Sequence, residues 1–283
     1  MIRRDGEHAQ FDAWNGDEGD HWIIHRQRYD TMLRGLTPRI IETSALSSDA
    51  AVLDIGCGCG ELARLIALEA KDGETIGMDL SAPMLAVARR LAVEEGIANV
   101  TFIEGDVEVH PFAPAHFDAA VSRLGTPFFE QPVAAFANVR RALRPGGTLV
   151  FACWQDLLLN EWVTVPAAAA MEHVAMPTLT GDASTPFSLA DPARIEHLLS
   201  AAGFVDIAVT DVAEPVLLGG DANEVTRFMA GTGIARALLG QLDLDTVRQV
   251  LLEIRRALTA HEGPDGIWLG SRSWLVTART RGG

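Results

Sequence analysis

Lysine and tyrosine are almost absent from this chain of 283 residues, in which Lys71 and Tyr29 are the only examples. A phosphate-loop nucleotide hydrolase needs a Gly-Lys-Ser/Thr loop, and a pyridoxal or Schiff-base enzyme needs a buried reactive lysine. Lys71 suits neither role because it lies in the polar stretch Lys71-Asp72-Gly73. A short-chain dehydrogenase is excluded as well, since its tyrosine and lysine stand one helical turn apart.

Cysteine is scarce too: there are three, and Cys57 and Cys59 share one glycine-rich stretch. Three cysteines make no disulfide framework and suit a reducing compartment. The first residues have no apolar segment typical of a signal peptide, and no stretch reaches the ~20 apolar residues of a membrane span. We therefore expect a cytoplasmic, soluble protein without a membrane partner.

Positive charge is the third deficit, because 23 Lys+Arg stand against 38 Asp+Glu and leave a formal net charge of −15. Phosphate contacts need clustered basic side chains, and no basic stripe is present, so nucleic acid is not an expected partner. The chain is 48% hydrophobic. That content is ample for the core of one elaborated domain or of two small ones.

Short apolar runs alternate with helical patterns from Ala50 onward, which is typical of βαβ units around a parallel sheet. Helix signals include Ser81 as a cap, Pro132 in a first turn, and the pair Asp191-Pro192. The strands that this pattern predicts are 51–55, 75–79, 100–104, 117–122, 148–154, 205–212 and 267–278. Together they indicate a doubly wound α/β sheet.

The remaining residues lie outside that sheet and look helical, so we divide the chain into four parts. These are a helical N-terminal cap (1–48), a ligand-binding core (49–154), an insertion or lid (155–190), and the end of the core (191–283), which carries a helical pair at 221–262. Ligands bind at the carboxyl edge of open α/β sheets. The N-terminal cap, the insertion and the helical pair at 221–262 are expected to cover that edge.

The strongest motif is the run Val52 to Gly60, a strand that leads directly into a turn with glycines at 56, 58 and 60. Glycine lets the backbone turn tightly and lets a ligand lie against it without a Cβ in the way. The dinucleotide fingerprint would need Gly or Ala at 61, where Glu61 stands. An acidic residue at that helix start disfavours a pyrophosphate and favours an uncharged or cationic ligand.

Two acidic residues follow the next predicted strands and fit a nucleoside. Asp79, at the end of the second strand, can accept hydrogen bonds from both hydroxyls of a ribose. Asp106, in Gly105-Asp106-Val107 after the third strand, can accept from an exocyclic adenine amine while a backbone amide contacts the neighbouring ring nitrogen.

These motifs, in their order and spacing, resemble the class I S-adenosylmethionine-dependent methyltransferases, in the branch similar to the ubiquinone/menaquinone-biosynthesis type. The blocks that carry the resemblance are 52–60, 77–81, 102–106, 117–123 and 143–147, with weaker likeness at 198–204 and 273–278. The resemblance implies a Rossmann-like seven-stranded sheet, with six parallel strands and an antiparallel last strand. It also implies S-adenosylmethionine as the cofactor.

Residue roles carried over from the family are expectations. Asp54, Gly56 and Gly58 would surround the methionine part, Asp79 and Leu80 would hold the ribose and the adenine edge, and Asp106 and Val107 would hold the adenine. Cys57 is a further candidate for the cofactor site. Ser122 and Arg123 would face the transferred methyl group. Met84, Trp22 and Tyr29 are further candidates for the cofactor site, although the two aromatic residues suit packing of the first helices equally well.

For catalysis we single out His25 as a general base, with His21 and His173 as the other candidates for that role. We also single out Arg123, because an arginine at the ligand edge of a strand seldom serves packing alone. We predict no metal: the pairs His21/His25 and Cys57/Cys59 lack a second pair of ligands at suitable spacing. The sequence Ser122-Arg123-Leu124-Gly125 differs from the Asn/Asp-Pro-Pro-Tyr/Phe of base and glutamine methylases. This difference argues against methylation of an exocyclic amide or base amine.

The predicted function is methyl transfer from S-adenosylmethionine to O, N or C of a small, fairly apolar metabolite. An apolar acceptor pocket has candidates among large side chains, although for any single one of them an ordinary core position is the more common location; they are Phe128, Phe129, Trp154, Trp162, Met171, Phe228 and Met229. Two alternatives stay open, a nicotinamide-dependent oxidoreductase and a non-catalytic scaffold that binds the cofactor. The oligomeric state is not predicted.

Overall fold

The computed structural model describes residues 7–171, 173 and 185–282. Its helices are α1 (Glu7–Trp14), α2 (Asp17–Ile24), α3 (Arg26–Leu33), α4 (Leu36–Ser44), α5 (Glu61–Glu69), α6 (Ala82–Glu94), α7 (Pro132–Ala142), α8 (Glu161–Ala170), α9 (Pro192–Ala201), α10 (Ala222–Ala230), α11 (Gly233–Leu239) and α12 (Leu244–Thr259). Its strands are β1 (Ala51–Ile55), β2 (Glu74–Asp79), β3 (Val100–Glu104), β4 (Phe117–Arg123), β5 (Leu143–Trp154), β6 (Val205–Ala213), β7 (Val216–Gly219), β8 (Glu262–Gly263), β9 (Gly266–Leu269) and β10 (Arg272–Arg279).

Seven of these strands form one sheet in the order β3-β2-β1-β4-β5-β10-β6. The pairs from β3 to β5 are all parallel, and β10 runs antiparallel to both of its neighbours. The predicted sheet of six parallel strands and one antiparallel strand is therefore confirmed. The strand order reverses between β1 and β4, and such a switch point opens a crevice at the carboxyl edge.

The core lies on both faces of this sheet. All five residues of β1 are buried. Val52 packs in one apolar cluster, whereas its neighbours Ala51 and Leu53 pack in another on the opposite face. A strand covered on both sides needs no polar alternation, which explains the continuous apolar run of β1.

The end of the chain differs from the prediction in two places. Residues 267–278 contain two strands, β9 and β10, instead of one. β9 belongs to a second sheet of order β7-β9-β8 and ends before Gly270, after which β10 joins the seven-stranded sheet. Residues 221–262 form three helices instead of a pair, since α10 ends at Gly231 and α11 ends at Gly240. The apolar run at 267–278 and the helical pattern at 221–262 both continue across the points where these elements end. Neither pattern therefore predicted the extra strand or the extra helix. Residues 172 and 174–184 of the predicted insertion lie outside the described residues.

The N-terminal helices are tied to the carboxyl edge by hydrogen bonds at the end of α1. Ser81, the cap of α6, donates its hydroxyl to the Trp14 carbonyl at 2.6 Å. The Asn15 side chain donates to the Leu80 carbonyl at 3.0 Å and accepts from the Ala82 amide at 3.1 Å. These contacts place the cap over the ends of β1 and β2. In the part of the chain that the structure describes, no helix combines the length and apolarity that a bilayer crossing requires.

The turn after β1 uses the left-handed backbone region three times, at Gly56, Gly58 and Gly60, with φ of 64°, 55° and 78°. Only glycine adopts this region without steric cost. At Gly60 a Cβ would also lie 2.7 Å from Cε1 of Phe102 and 2.8 Å from Cβ of Ala88. The turn therefore needs glycine both for its backbone angles and for the close packing of β3 and α6.

A comparison of Gly60→Ala with Gly96→Ala separates the effect of the backbone angle from the effect of close packing. Gly96 has a similar φ of 70° but open space around the added Cβ. We expect Gly96→Ala to lower the free energy of unfolding by about 1 kcal/mol through backbone strain alone. Gly60→Ala should cost about 3 kcal/mol, because overpacking adds to that strain. Urea denaturation measures both, and equal losses would contradict the packing argument.

Candidate active site

A cavity of about 1,090 Å³ opens at the carboxyl edge of the sheet, on the switch point between β1 and β4. Pockets for one drug-sized ligand are typically ~300–1,000 Å³. The space is therefore sufficient for a nucleoside-sized cofactor and a second molecule. Its floor is formed by the ends of β1 to β5, and its walls come from the N-terminal helices and from α8, α10, α11 and α12.

Asp79 holds the floor of the cavity together. Its Oδ2 accepts from the Gly58 amide at 2.8 Å, and its Oδ1 accepts from the Ser81 amide at 2.9 Å. Burial raises the pKa of Asp79, and these backbone hydrogen bonds oppose the rise. Each carboxylate oxygen keeps a further lone pair for a ligand hydroxyl. Asp79 thus lies where the sequence predicted it, and it also fixes the glycine turn.

Asp54, on β1, is the most deeply buried acid of the cavity lining, with 1% of its surface exposed. Its Oδ2 has no hydrogen-bond partner among the described residues. Burial raises the pKa of Asp54 to about 8, although the nearby Arg123 opposes the rise. A buried carboxyl with an unmet oxygen favours a cationic or hydrogen-bond-donating ligand beside it.

The predicted adenosyl contacts also reach the cavity. They are Gly56, Cys57, Gly58, Leu80, Met84, Asp106 and Val107. Asp106 accepts from the Glu108 amide at 2.8 Å, so its carboxylate is held at the end of β3. A Cβ on Gly58 would lie 2.9 Å from Cε of Met84, which shows how little room the turn leaves for a side chain. Burial raises the pKa of the Cys57 thiol, which keeps it neutral.

Two aromatic residues of the cap form one wall. The rings of Trp22 and Tyr29 stack with centroids 3.7 Å apart and an angle of 4° between their planes. Both side chains line the cavity, and so does Trp14, whose ring lies 5.2 Å from that of Phe128. Burial, followed by the charge of Glu18, raises the pKa of Tyr29 and keeps its hydroxyl protonated.

Two of the predicted site residues make their contacts away from the cavity, and their roles stay predictions. Ser122 is fully buried beneath the turn, where its hydroxyl donates to the Ile55 carbonyl at 2.7 Å and accepts from the Gly125 amide at 3.2 Å. His25, at the junction of α2 and α3, points toward α10, with its ring 4.5 Å from that of His21 and 5.1 Å from that of Phe228. Neither side chain lines the cavity. Neighbouring positions on a strand or helix point in different directions, and the motif alone did not reveal which one faces the ligand.

Arg123 does reach the cavity, and it binds two acids that the sequence analysis did not assign to the site. Its guanidinium contacts Asp30 Oδ1 at 3.2 Å, forms an ion pair with Glu61 and donates to the Thr37 hydroxyl at 2.7 Å. Asp30 comes from α3 and Glu61 from the first turn of α5. Burial and the neighbouring Glu61 raise the pKa of Asp30 to about 6, and Arg123 opposes this. We call these three side chains the Asp30–Arg123–Glu61 cluster.

The half of the cavity beyond this cluster is apolar. Its lining comes from β5 and from the helices that cover the edge: Phe128, Phe129, Trp154, Trp162, Val163, Phe228, Met229, Ile234, Leu238, Leu239, Val250, Leu251 and Ile254. Six of the seven predicted acceptor-pocket residues are in this group. The seventh, Met171, is 62% exposed and lies outside it.

The charged residues of the lining are mostly acidic: Asp12, Asp17, Glu18, Asp30, Asp54, Glu61, Asp79, Asp106 and Glu108 stand against Arg123 and Arg236. Both arginines are paired, since Arg236 on α11 lies 2.6 Å from Glu18 on α2. Within the part of the chain that the structure describes, the lining therefore attracts cations and offers no unpaired positive charge to an anion.

The methyltransferase domain family matches residues 52–147. Demethylmenaquinone methyltransferase of Thermus thermophilus is 34% identical over 131 residues, and the ubiquinone/menaquinone biosynthesis C-methyltransferase UbiE of Pseudomonas paraeruginosa is 36% identical over 112 residues. Residues 52–147 are thus similar to a methyltransferase domain, and the chain spans about half the length of these relatives. The alignments cover 44% and 39% of this chain, and 59% and 44% of the two relatives.

A solved structure shares the fold beyond this matched domain. The YcgJ protein of Bacillus subtilis superposes with a TM-score of 0.58 at 21% identity, covering 87% of this chain and 98% of that one. The covered part includes regions outside residues 52–147, so the likeness in fold extends past the methyltransferase domain.

The residues of this methyltransferase domain fit S-adenosylmethionine in three respects. The turn of Gly56 and Gly58 offers backbone without side-chain bulk. Asp79 offers carboxylate lone pairs at the end of β2, and Asp54 offers a buried oxygen without a partner among the described residues. A sulfonium with an amino-acid tail and a nucleoside needs these features in this order along the strand ends.

Asp54→Asn tests the buried carboxyl through the pH dependence of stability. An acid whose pKa is about 8 when folded and ~3.9 when unfolded destabilises the fold progressively as pH rises between these values. We expect wild-type protein to lose about 1 kcal/mol per pH unit relative to Asp54→Asn between about pH 5 and pH 8. Urea denaturation at several pH values measures this difference. A difference independent of pH would contradict the assignment.

Proposed function

We propose that this protein transfers a methyl group from S-adenosylmethionine to O, N or C of a small, fairly apolar acceptor. The observation that carries the proposal is one cavity whose lining combines the acidic, glycine-rich ends of β1 to β3 with apolar side chains from β5 and the covering helices. Because one ligand alone does not need both environments, the cavity suits a polar methyl donor beside an apolar acceptor.

In this proposal each strand end has one task. Asp106 and Val107 at β3 hold the adenine, Asp79 at β2 holds the ribose hydroxyls, and the turn with Asp54 at β1 surrounds the methionine part. When bound, S-adenosylmethionine supplies a methyl group activated by a positively charged sulfur. The covering helices exclude water and hold the acceptor in line, which are the main contributions that such a reaction needs from the protein.

The acceptor half supports a neutral, aromatic acceptor. Trp154, Trp162 and Phe128 offer ring faces, and the indole nitrogen of Trp162 already donates to Asn160 at 3.1 Å. With both cavity arginines paired, a phosphate or carboxylate on the acceptor would be desolvated without compensation. The two curated relatives are named for steps in menaquinone or ubiquinone biosynthesis, and a quinol-like ring would suit these surfaces.

Two further properties belong to the proposal. The paired arginines and the acidic lining leave no docking surface for a nucleic acid in the cavity. A cytoplasmic location is supported by Cys57, Cys59 and Cys153, which are all free and buried thiols, as a reducing compartment permits.

Ligand-dependent unfolding separates this function from the two alternatives. S-adenosylhomocysteine at ~100 times its Kd should raise the free energy of unfolding by ~2.7 kcal/mol, and NAD should leave it unchanged. Stabilisation by NAD alone would favour the oxidoreductase. Methyl-labelled S-adenosylmethionine then tests turnover: label in an added aromatic acceptor excludes a scaffold, and binding without transfer to any acceptor would support one.

Asp79→Asn tests the cofactor position, with Asp72→Asn as its control. Asp72 is exposed and lies two residues before β2, whereas Asp79 ends that strand at the cavity. Hydrogen bonds to a charged group contribute about 1.5–3 kcal/mol, so we expect S-adenosylhomocysteine to bind ~10–100 times more weakly to Asp79→Asn. Calorimetric titration measures this. Equal affinities for the two variants would remove Asp79 from the site.

A further inference from the structure

The Asp30–Arg123–Glu61 cluster has one cation for two acids. The side chain of Arg123 is 10% exposed, whereas those of Asp30 and Glu61 are 26% and 25% exposed. The guanidinium of Arg123 is thus more buried than the two carboxyls, and it also donates a hydrogen bond to the Thr37 hydroxyl. The carboxyls are the more accessible groups. Because one guanidinium compensates one carboxylate, the cluster carries an excess negative charge at the cavity wall.

The cluster lies at the border between the two halves of the cavity. Arg123 ends β4, which pairs with β1 on one side and β5 on the other. The β1 side leads to the glycine turn and Asp54, and the β5 side leads to Trp154. Under the proposed function, a methyl donor over β1 to β3 and an acceptor against β5 meet near this point of the edge.

The described cavity lining contains few other groups that can accept a proton there. It includes no histidine and no lysine, and burial keeps Tyr29 protonated. Asp54 is 1% exposed, and both oxygens of Asp79 accept backbone hydrogen bonds. Glu108 is occupied in the same way by the amides of residues 130 and 131. Glu18 is paired with Arg236, the Asp106 carboxylate accepts from the Glu108 amide, and Asp12 and Asp17 are exposed on the cap. Asp30 and Glu61 are the acids beside Arg123 at the end of β4, and Glu61 is the closer partner of Arg123.

We propose that Asp30 accepts the proton of a neutral aromatic acceptor that bears an O–H group, while Glu61 and Arg123 hold its carboxyl in place. This inference rests on the proposed function. The acceptor oxygen forms a bond to the methyl carbon, the bond from that carbon to sulfur breaks, and its electron pair stays on sulfur. The hydroxyl proton moves to Asp30 Oδ and later leaves to water, so that atoms and charge balance.

The surroundings of Asp30 support this role. The groups that face it are Glu61 on α5, Arg123 on β4 and the Cys59 thiol in the glycine turn. A pKa of about 6 leaves Asp30 mostly ionised near neutral pH, yet makes it a stronger base than an exposed aspartate.

Two acceptor probes of the same shape test the proposal: 2-naphthol and 2-naphthalenethiol, each with methyl-labelled S-adenosylmethionine at about pH 8. A thiol is more acidic than the corresponding phenol, so the thiol probe supplies its own anion and needs no base. Asp30→Asn keeps the size of the side chain and leaves Arg123 paired with Glu61. Asp245→Asn on α12 is the control, since Asp245 is exposed and lies outside the cavity lining.

We expect Asp30→Asn to lower kcat/KM for 2-naphthol ~100-fold or more, within the range for general base catalysis, and to change that for the thiol less than about threefold. The Kd for S-adenosylhomocysteine and the unfolding midpoint should stay close to wild type, which shows that the fold and the cofactor site are intact. Glu61→Gln should reduce naphthol turnover less than Asp30→Asn does. Asp245→Asn should behave as wild type with both probes.

Three results would overturn the inference: an equal loss with both probes, an unchanged rate with 2-naphthol, or wild-type protein that methylates neither probe. In each of these cases, tight binding of S-adenosylhomocysteine by wild-type protein would leave the proposed function standing. Failure of wild-type protein to bind S-adenosylhomocysteine would instead refute the proposed function itself.

Discussion

The contact of the Asp79 carboxylate with the amides of Gly58 and Ser81 is the interaction on which the site depends. It joins the turn after β1 to the start of α6, so one acid fixes two adjacent elements. Ser81 in turn holds the end of α1 through the Trp14 carbonyl, which brings the cap over the same edge. The glycine turn on the cavity floor and the N-terminal helices that cover it are therefore both held by hydrogen bonds at the end of β2.

Much of the fold and of the cofactor half could be predicted from the sequence, because their signals are local. The turn has positive φ at Gly56, Gly58 and Gly60, and this backbone region favours glycine. Strand β1 is buried on both faces, and such a strand is apolar along its length. The roles of Ser122 and His25 stay predictions, since a motif gives the position of a residue but not the direction of its side chain, and neither side chain lines the cavity. Ser122 packs under the turn, and His25 packs against α10.

Asp30 and Glu61 show what sequence reasoning misses. They are separated by 31 positions and come from α3 and α5, and only the folded chain brings both to Arg123. An isolated acid in a helix is usually a solvated surface residue, and nothing local marks Asp30 as different. The split of 267–278 into two strands is a similar case, because apolar periodicity continues through Gly270 while the backbone changes sheets.

A crystal structure of the protein with S-adenosylhomocysteine tests the central claim most directly. We predict electron density for the nucleoside along the ends of β3, β2 and β1, with both ribose hydroxyls within ~3 Å of the Asp79 carboxylate. The amino-acid end should lie toward Asp54, and the sulfur should face the apolar half. Density elsewhere on the molecule, or ribose hydroxyls turned away from Asp79, would contradict this account of the site.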